Sequence, residues 1–366
     1  MLYCVNRVKK EKKAGQRTAG VKAPDDITVI ARNKCKAKII EFEEHQNTHK
    51  FLRPVDLVLR MGVNISNYIR LKSRVRQGDT VIIQHPYSGI RGLAQTIREC
   101  RKKGVRFIFF IHDLLSLRKN IERKNSDREN RIVSEQEFEL LNLCDAIICH
   151  NEKMKKYLTD NGVPAEKIVC LEIFDYLITK KTVTAKKNDK SVVVAGNLAK
   201  EKSAYIYKMS GDNGCKFHLN LYGPNYTETE ITEDTEYMGI LPPEELPSQI
   251  KGAYGLVWDG DSIETCSGVA GEYLRINNPH KCSLYLVSGL PVIVWKQSAL
   301  AEFIEKNGLG IAVDSIPEIS GKIDSVTEEE YNTMCGNVAK VRKKLTGGKY
   351  FTEALRKALE IAEGNR

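Results

Sequence analysis

The sequence has no long hydrophobic run, because none of its apolar stretches approaches the roughly 18 residues that a membrane-spanning helix needs. It also has no recognisable secretory leader. The short apolar piece at residues 1–5 precedes a lysine-rich piece, whereas a leader has the reverse order and a longer apolar region. We therefore expect a cytoplasmic protein.

Clusters of cysteine and histidine are also missing. The ten cysteines are scattered without a Cys-x-x-Cys pair, and no group of histidines completes a zinc site. Most of the cysteines lie inside apolar runs, so reduced and buried thiols are expected. The sequence therefore predicts neither a zinc site nor a disulfide framework.

A strong excess of one charge is absent as well. The 57 Lys and Arg residues outnumber the 47 Asp and Glu residues by a net charge of +10. This balance suits a nucleotide, a nucleic acid or an anionic membrane surface. Because the basic residues are spread along the chain and form no nucleic-acid-binding motif, we expect no nucleic-acid partner. Most of these residues are interpreted as solvated surface.

What the sequence does contain is an alternation of short apolar runs with amphipathic segments. A chain of 366 residues is too long for one core, so two domains are expected. Residues 179–190 are polar and lysine-rich and carry no periodic apolar pattern, so we place the boundary there. The predicted domains are 1–182 and 183–366, with the last helix free to pack back on the first domain.

In the first half, three buried strand patterns end in polar tips. The tips are Gln84-His85-Pro86, His112-Asp113 and His150-Asn151. Helices are expected to begin near Pro24, because proline suits the first helical position, and to cover residues 63–76. This alternation predicts a parallel, doubly wound α/β sheet, whose carboxyl edge would collect all three tips.

A histidine at a strand tip is more often a structural residue than a catalyst, but three tips at one edge favour a site. The pair His112-Asp113 is the sharpest of them, because an adjacent imidazole and carboxylate suit general-base work near neutral pH. The structural alternative stays open for each of these residues.

The second half repeats the pattern, beginning with a strand that ends at Gly196-Asn197. That turn is tight enough to let a backbone approach a phosphate, and Lys200 follows on an expected helix. Residues 254–258 and 292–295 read as two more buried strands, with a helix over 281–288 between them. Lys281 would stand at the N-terminus of this helix, where anions are favoured. These residues alone support two interpretations of Lys281 equally, namely a phosphate site and an ordinary surface lysine.

Several segments of the chain together form a familiar pattern. In the second half they are residues 254–259, the helix with Lys281, residues 289–294 and residues 307–310, and in the first half residues 78–86, 109–113 and the loop 15–18. In these segments, which cover nearly the whole chain, the sequence resembles bacterial GT-B glycosyltransferases, and within them the β-1,6-galactofuranosyltransferase group and the streptococcal adhesin glucosyltransferases. The resemblance implies two doubly wound Rossmann-like domains facing a central cleft.

The resemblance also implies roles for particular residues. The donor would be a UDP-sugar bound by the C-terminal domain, and the acceptor would be a glycan or glycolipid hydroxyl facing the N-terminal one. Tyr222 would lie near the base, and Thr18 would approach the donor. The residues near the diphosphate would be Gly196, Asn197, Lys200 and Lys281. On the acceptor side, the resemblance points to His112 and Asp113, with Gln84 and His85 beside them.

The sequence favours an inverting reaction without a metal. Asp259-Gly260-Asp261 matches the Asp-x-Asp pattern only superficially, and we interpret it as a polar loop rather than a metal site. Many retaining GT-B enzymes carry two glutamates eight residues apart, but Glu264 and Glu272 lie too far upstream of Gly289 for that role. An inverting displacement needs a base on the acceptor hydroxyl, and Asp113 or His112 is expected to supply it.

The expected donor is UDP-galactofuranose first and UDP-glucose second, with no cofactor. Basic residues of the first domain suggest a peripheral contact with the inner face of the membrane. The sequence is also compatible with a homo-oligomer. Another class of protein also fits the fold, namely a non-catalytic nucleotide-sugar-binding protein, since a fold does not guarantee chemistry. Donor binding without donor hydrolysis or transfer would favour that alternative.

Overall fold

The computed structural model describes residues 1–9, 19–45, 53–87, 90–122, 127–179, 187–227 and 234–364. The chain forms two compact units. The first contains the N-terminal strand, Gly20–Leu171 and Phe351–Arg366, and the second contains Glu172–Tyr350. The predicted boundary between residues 182 and 183 lies outside the described residues.

The first unit is built on six parallel strands with helices between them. The strands are β1 (Leu2–Lys9), β2 (Lys38–Glu44), β3 (Thr80–His85), β4 (Arg106–Ile111), β5 (Ala146–Cys149) and β6 (Ile168–Cys170). The helices are α1 (Ala19–Asn33), α2 (Arg53–Arg74), α3 (Ile90–Arg101), α4 (Leu115–Glu122), α5 (Asp127–Asn142) and α6 (Glu152–Asp160). The strand order is β2-β1-β3-β4-β5-β6.

The second unit has a sheet of six parallel strands in the order β12-β11-β10-β7-β8-β9. The strands are β7 (Val192–Ala195), β8 (Leu219–Tyr222), β9 (Thr235–Gly239), β10 (Tyr254–Val257), β11 (Val292–Trp295) and β12 (Gly310–Val313). The helices are α7 (Leu246–Gln249), α8 (Gly268–Tyr273), α9 (His280–Val287), α10 (Ala301–Asn307), α11 (Glu318–Ser325) and α12 (Glu328–Thr346). The last helix, α13 (Lys349–Gly364), belongs to the first unit from Phe351 onwards.

The central strands are buried along their whole length, as their unbroken apolar runs predict. Every residue of β3, β7, β10 and β11 is buried. A parallel strand covered by helices on both faces needs apolar side chains on both, so alternation with polar residues disappears. In the second unit Trp258 and Trp295 pack edge to face with ring centroids 6.4 Å apart. The predicted doubly wound α/β class is confirmed for both halves.

Both sheets reverse their strand order at one place. In the first sheet the chain leaves β1 for β2 on one side and later adds β3 on the other. In the second sheet β7 is followed by β8 on one side and by β10 on the other. Ligands of open α/β sheets bind outside the carboxyl ends of the strands at such a reversal. The reversals therefore single out the end of β3 in one unit and the turns after β7 and β10 in the other.

Several predicted helices are wrong in extent. Helix α1 begins at Ala19 and contains Pro24, rather than beginning at that proline. Helix α2 begins at Arg53, ten residues before the predicted start at 63. Lys200 lies in a turn and not on a helix. After Gly196-Asn197 the chain forms turns up to a short 3-10 helix at Ile206–Lys208, so no α-helix contains Lys200. The apolar residues early in α2 do not follow the usual buried-face pattern, because most of them are exposed.

Candidate functional site

The turn after β7 is built from backbone rather than side chains. Gly196 has φ +155° and donates its amide to the Tyr222 carbonyl at 2.9 Å. Gly223, with φ +136°, approaches so closely that an added Cβ would lie 1.8 Å from the Gly196 carbonyl oxygen. By contrast, a Cβ added at Gly196 would meet nothing within 4 Å. The space beside Gly196 is therefore open to an incoming group.

The predicted neighbours of that turn lie close to it. Asn197 accepts hydrogen bonds at its Oδ1 from the Ala199 amide at 3.1 Å and from Asn225 Nδ2 at 2.9 Å. The Lys200 ammonium lies 5.2 Å from the centroid of the Tyr207 ring, within cation–π range. The structure therefore brings Gly196, Asn197 and Lys200 onto one short segment at the carboxyl end of β7.

Tyr222 has a structural contact that the sequence did not reveal. Its side chain ends β8 and is buried, and its hydroxyl accepts a hydrogen bond from the Lys251 amide at 2.9 Å. Burial raises the pKa of this phenol, so it stays protonated near neutral pH. The ring fixes the segment before β10 to the end of β8, beside the Gly196 turn.

Lys281 lies in the first turn of α9, as predicted, and reaches the end of β10. Its Nζ donates to the Trp258 carbonyl at 2.8 Å and to Asp259 Oδ1 at 2.7 Å. The Lys281 and Asp259 side chains are 20% and 19% exposed, so the pair is accessible at one side. A cation beside a helix N-terminus at the reversal of the sheet is the arrangement that suits a phosphate.

The two carboxylates of Asp259-Gly260-Asp261 have separate partners. Asp259 binds Lys281, whereas Asp261 accepts a hydrogen bond from the Ser267 hydroxyl. Gly260 has φ +109°, and an added Cβ would lie 2.3 Å from the Ser267 carbonyl oxygen, so the loop is tightly folded. In the part of the chain that the structure describes, no three Asp, Glu, His or Cys residues are grouped so as to hold a metal ion.

In the first unit, the polar tips of β3, β4 and β5 do lie at one edge, because the three strands pair in parallel. Gln84 is buried and donates its Nε2 to Thr28 Oγ1 at 2.9 Å. Its Oε1 is 2.7 Å from His112 Nε2. Since an amide oxygen can only accept, the hydrogen of His112 is on Nε2, and its basic nitrogen is Nδ1, which is buried.

His85 and Glu137 form a buried hydrogen-bonded pair. His85 Nε2 lies 2.6 Å from Glu137 Oε1, and neither side chain has exposed surface. Glu137 also accepts the amides of Leu115 at 2.6 Å and Ser116 at 2.9 Å at the start of α4. Burial alone would raise the pKa of Glu137, but these hydrogen bonds hold it below its ordinary value. The Glu137 carboxylate of α5 therefore links the end of β3 to the start of α4.

Both members of the His112-Asp113 pair are half-buried. Its carboxylate forms an ion pair with Arg118 of α4, and the two side chains are 21% and 40% exposed. The His112 ring packs against Phe110 with centroids 4.9 Å apart. Of the two candidate bases, the Asp113 side chain is partly exposed, whereas the Nδ1 atom of His112 is buried.

His150, at the third tip, is structural. It is buried, and its Nε2 lies 3.1 Å from the Ile111 carbonyl oxygen. Burial lowers its pKa to about 4, so the imidazole is neutral near pH 7 and donates from Nε2. Thr18, the remaining predicted donor contact, lies outside the described residues.

Sequence reasoning missed Glu137 and Arg118. Glu137 occupies a position on the apolar face of α5 that it shares with Val133, Leu140 and Leu141. A charged residue at a helical position that should be apolar is a signal for a buried partner, and His85 is the partner. Arg118 gave no comparable signal, because a basic residue on a short helix is ordinary.

Solved structures define the class of this fold. The lipopolysaccharide outer core galactosyltransferase WaaB matches 98% of this chain and 99% of its own with a TM-score of 0.60 at 11% identity. WaaG, a glycosyltransferase involved in lipopolysaccharide biosynthesis, matches 97% and 98% with a TM-score of 0.55 at 10% identity. The two Rossmann-like units thus form the GT-B glycosyltransferase fold.

Family models identify the relatives within that class. The Glucosyltransferase 3-like N-terminal domain matches residues 3–173, and the Glucosyltransferase 3-like C-terminal domain matches residues 192–358. The chain therefore belongs to the Glucosyltransferase 3-like family of glycosyltransferases. In the described residues, no helix is both long enough and apolar enough to cross a bilayer.

Two curated relatives carry more specific names. Beta-1,6-galactofuranosyltransferase WbbI of Escherichia coli K12 is 40% identical over 223 residues, which are 59% of this chain and 64% of WbbI. Glucosyltransferase 3 of Streptococcus gordonii is 29% identical over 288 residues, which are 77% of this chain and 79% of that protein. The match to WbbI therefore spans somewhat less than two thirds of that relative's length.

Proposed function

We propose that this chain transfers a hexose from a UDP-sugar to a hydroxyl of a cell-surface glycan or glycolipid. Galactofuranose is the first choice of sugar and glucose the second. The 40% identity to a β-1,6-galactofuranosyltransferase supports the first choice, and the 29% identity to a glucosyltransferase supports the second.

The observation that carries the proposal is the pairing of an open backbone turn with a cation at the reversal of the second sheet. The turn is the one at Gly196, where nothing fills the space that a side chain would take. The cation is Lys281 at the N-terminus of α9, held by the end of β10. Because β7 and β10 are adjacent strands, one diphosphate can contact both turns.

This arrangement supplies what the leaving group needs. Negative charge grows on the nucleoside diphosphate as its bond to the anomeric carbon breaks. A preorganised ammonium and the free amides of a helix N-terminus stabilise such charge without rearrangement. In this proposal Lys281 exchanges part of its contact with Asp259 for a phosphate oxygen, and no metal is required.

In the proposed reaction, inversion follows from a single displacement with Asp113 as the base. The carboxylate of Asp113 takes the proton of the acceptor hydroxyl while that oxygen attacks the anomeric carbon. The carbon–oxygen bond to the diphosphate breaks, and UDP leaves with the bonding electron pair. Arg118, ion-paired with Asp113, would keep the carboxylate oriented.

A thermal-shift panel tests the donor assignment first. The ligands are UDP, GDP, TDP, UDP-glucose and UDP-galactofuranose, each with and without EDTA. A ligand at about 100 times its dissociation constant adds roughly 2.7 kcal/mol to the free energy of unfolding, which is a visible shift. We expect a shift selective for uridine nucleotides that survives EDTA. If none of the nucleotides shifts the thermal midpoint, the proposal is wrong.

Product analysis then distinguishes a transferase from a non-catalytic binding protein. We expect UDP release from one of the two donors, accelerated by a glycan acceptor, and a β-linkage in the product of an α-linked donor. An α-linked product would keep the transferase assignment and rule out a single displacement.

A further inference from the structure

Arg275 is held in one orientation at the carboxyl end of β11 by three side chains. Its guanidinium lies over the ring of Trp295, with the central carbon 4.4 Å from the ring centroid. Its Nε donates to Glu272 Oε2 at 2.6 Å, and its Nη1 donates to Gln297 Oε1 at 2.6 Å. A guanidinium has five N–H donors, so most of its donors are still available after these two bonds. We call Glu272, Arg275, Trp295 and Gln297 the Arg275 cluster.

The backbone around the Arg275 cluster is fixed as well. The Ala299 amide donates to the Leu274 carbonyl at 2.8 Å, which joins the segment before α9 to the segment after β11. A Cβ added at Gly271 would lie 2.3 Å from the Cys266 carbonyl carbon, so α8 packs directly on the loop that follows β10. Donors held by such a frame meet a ligand without rearranging, which is what a specific binding site requires.

The Arg275 cluster is accessible from solvent and carries no net charge. The side chains of Arg275 and Glu272 are 40% and 56% exposed, and Gln297 is exposed, whereas Trp295 is buried beneath them. The guanidinium and the carboxylate cancel each other, and together with the amide they offer both donors and acceptors. A phosphate is matched by positive charge, whereas sugar hydroxyls both donate and accept. This composition therefore suits sugar hydroxyls better than a second phosphate.

The position of the Arg275 cluster agrees with that chemistry. In the second sheet β7, β10 and β11 are consecutive neighbours. The Gly196 turn follows β7, Lys281 reaches the end of β10, and the Arg275 cluster lies at the end of β11. Neighbouring strands are about 4.8 Å apart, so the cluster lies roughly one strand beyond the proposed diphosphate. In a UDP-sugar the hexose and the nucleoside are at opposite ends of the diphosphate, so a nucleoside on the β8 side directs the hexose towards β11.

We propose that the Arg275 cluster binds the hydroxyl groups of the donor hexose. The remaining guanidinium N–H groups of Arg275 donate to sugar oxygens, and the Glu272 carboxylate accepts from a sugar hydroxyl. The stack on Trp295 keeps the guanidinium away from the diphosphate, which belongs to Lys281 and the Gly196 turn. This inference rests on the proposed function and assigns the hexose end of the same donor site.

Calorimetry with the full chain tests the assignment with two ligands that differ only in the hexose. They are UDP and the UDP-sugar that the wild type transfers. Arg275→Gln removes the charge and most of the donors, and Arg275→Lys keeps the charge but loses the planar fork. We expect each variant to raise the dissociation constant of the UDP-sugar about tenfold and to leave that of UDP unchanged. A residue that serves only the fold would not separate the two ligands.

Arg356→Gln is the matched control, because Arg356 is also an exposed arginine that pairs with a glutamate of its own helix, Glu360 of α13. It should change neither dissociation constant. The assignment is wrong if both Arg275 variants bind the UDP-sugar as the wild type does, or if UDP and the UDP-sugar lose affinity equally. In both of those cases the wild type still binds UDP, and the proposed function stands. A wild type that binds neither ligand would overturn the proposed function and this inference together.

Discussion

The carboxyl edges of the two sheets differ in what lies along them. At the edge of the first sheet, side chains bind side chains: Gln84 contacts His112, His85 contacts Glu137 and Asp113 contacts Arg118. At the edge of the second sheet, the backbone of Gly196 and Gly223 dominates, with one ion pair between Lys281 and Asp259. The same architecture thus presents titratable groups in one unit and an open backbone turn beside a lysine in the other.

This difference shows why function has to be argued from sites rather than from the fold. Both units are doubly wound sheets with one strand-order reversal. Proton transfer needs a positioned acid or base, whereas a diphosphate needs open backbone and positive charge. Variants at the two edges should therefore have separable effects, and the four variants below either confirm that separation or abolish it.

The largest expected effect is that of Asp113→Asn on the rate of transfer. Loss of a general base costs about 10²- to 10⁴-fold in rate, whereas an amide of the same shape leaves the donor site untouched. Steady-state transfer and UDP binding by calorimetry measure the two quantities. Equal losses of transfer rate and UDP affinity would mean that Asp113 acts through folding or donor binding. The two sheet edges would then not have separate roles.

Glu137→Gln should destabilise the first unit without altering its surface. Glu137 accepts hydrogen bonds from the amides of Leu115 and Ser116 and lies against His85 Nε2, and a neutral glutamine cannot accept all of them, so about 1–3 kcal/mol should be lost. Chemical denaturation measures this change in the free energy of unfolding, and Glu139→Gln, which changes an exposed glutamate on the same helix, is the control. A Glu137→Gln protein as stable as the control would show that the His85 pair contributes little.

The same residue also predicts a pH dependence. Because the folded-state pKa of Glu137 is lowered from the ordinary value of 4.5, its contribution to stability is present above pH 4.5. That contribution is lost as pH falls through the folded-state pKa, since the unfolded state then binds the proton first. The free energy of unfolding, measured from pH 6 downwards, should fall less steeply with decreasing pH in Glu137→Gln than in the wild type.

Lys281→Ala should weaken donor binding by about tenfold or more, equivalent to 1.4 kcal/mol, because a charge-assisted contact to phosphate is lost. Lys190→Ala is the matched control. Lys190 also pairs with an aspartate, Asp324, at 2.8 Å, but it precedes β7 at the opposite end of the strand. Calorimetry with UDP measures both variants. If Lys281→Ala binds UDP with the affinity of the wild type, the diphosphate does not bind at the N-terminus of α9.

The smallest effect is expected from Gly196→Ala. The added methyl group meets no atom within 4 Å, but φ +155° is unfavourable for alanine, so about 1 kcal/mol of stability should be lost. If a phosphate occupies the open space, the free energy of UDP binding should fall by more than the free energy of unfolding. If stability falls but UDP affinity does not change, Gly196 is needed only for the conformation of the turn.

Much of the site could be predicted because its residues follow strand ends. Gln84 is the penultimate residue of β3, and the three others directly follow buried strands, so parallel sheets place all of them at their carboxyl edges; the three are His112, His150 and Gly196. Lys281 was found in the same way from the start of α9. What these positions could not show was the partner of each side chain, because partners come from distant segments of the chain.

His85 and Asp259 illustrate that limit. Both looked like free polar residues at strand ends, yet one binds Glu137 and the other binds Lys281. The partners lie 52 residues away for His85 and 22 residues away for Asp259. No local pattern encodes such a pairing. The start of α2 was missed for a related reason, because its exposed apolar residues break the rule that a helix hides its apolar face.

Local apolar periodicity and turn residues specify the fold class, the two sheets and the strand ends that carry the candidate site residues. Only the tertiary structure decided which titratable groups are buried against a partner and which stay accessible. Burial and pairing depend on contacts between segments far apart in the chain, and it is these contacts that make His85 and His150 structural, leave Asp113 accessible, and set Lys281 beside an open turn.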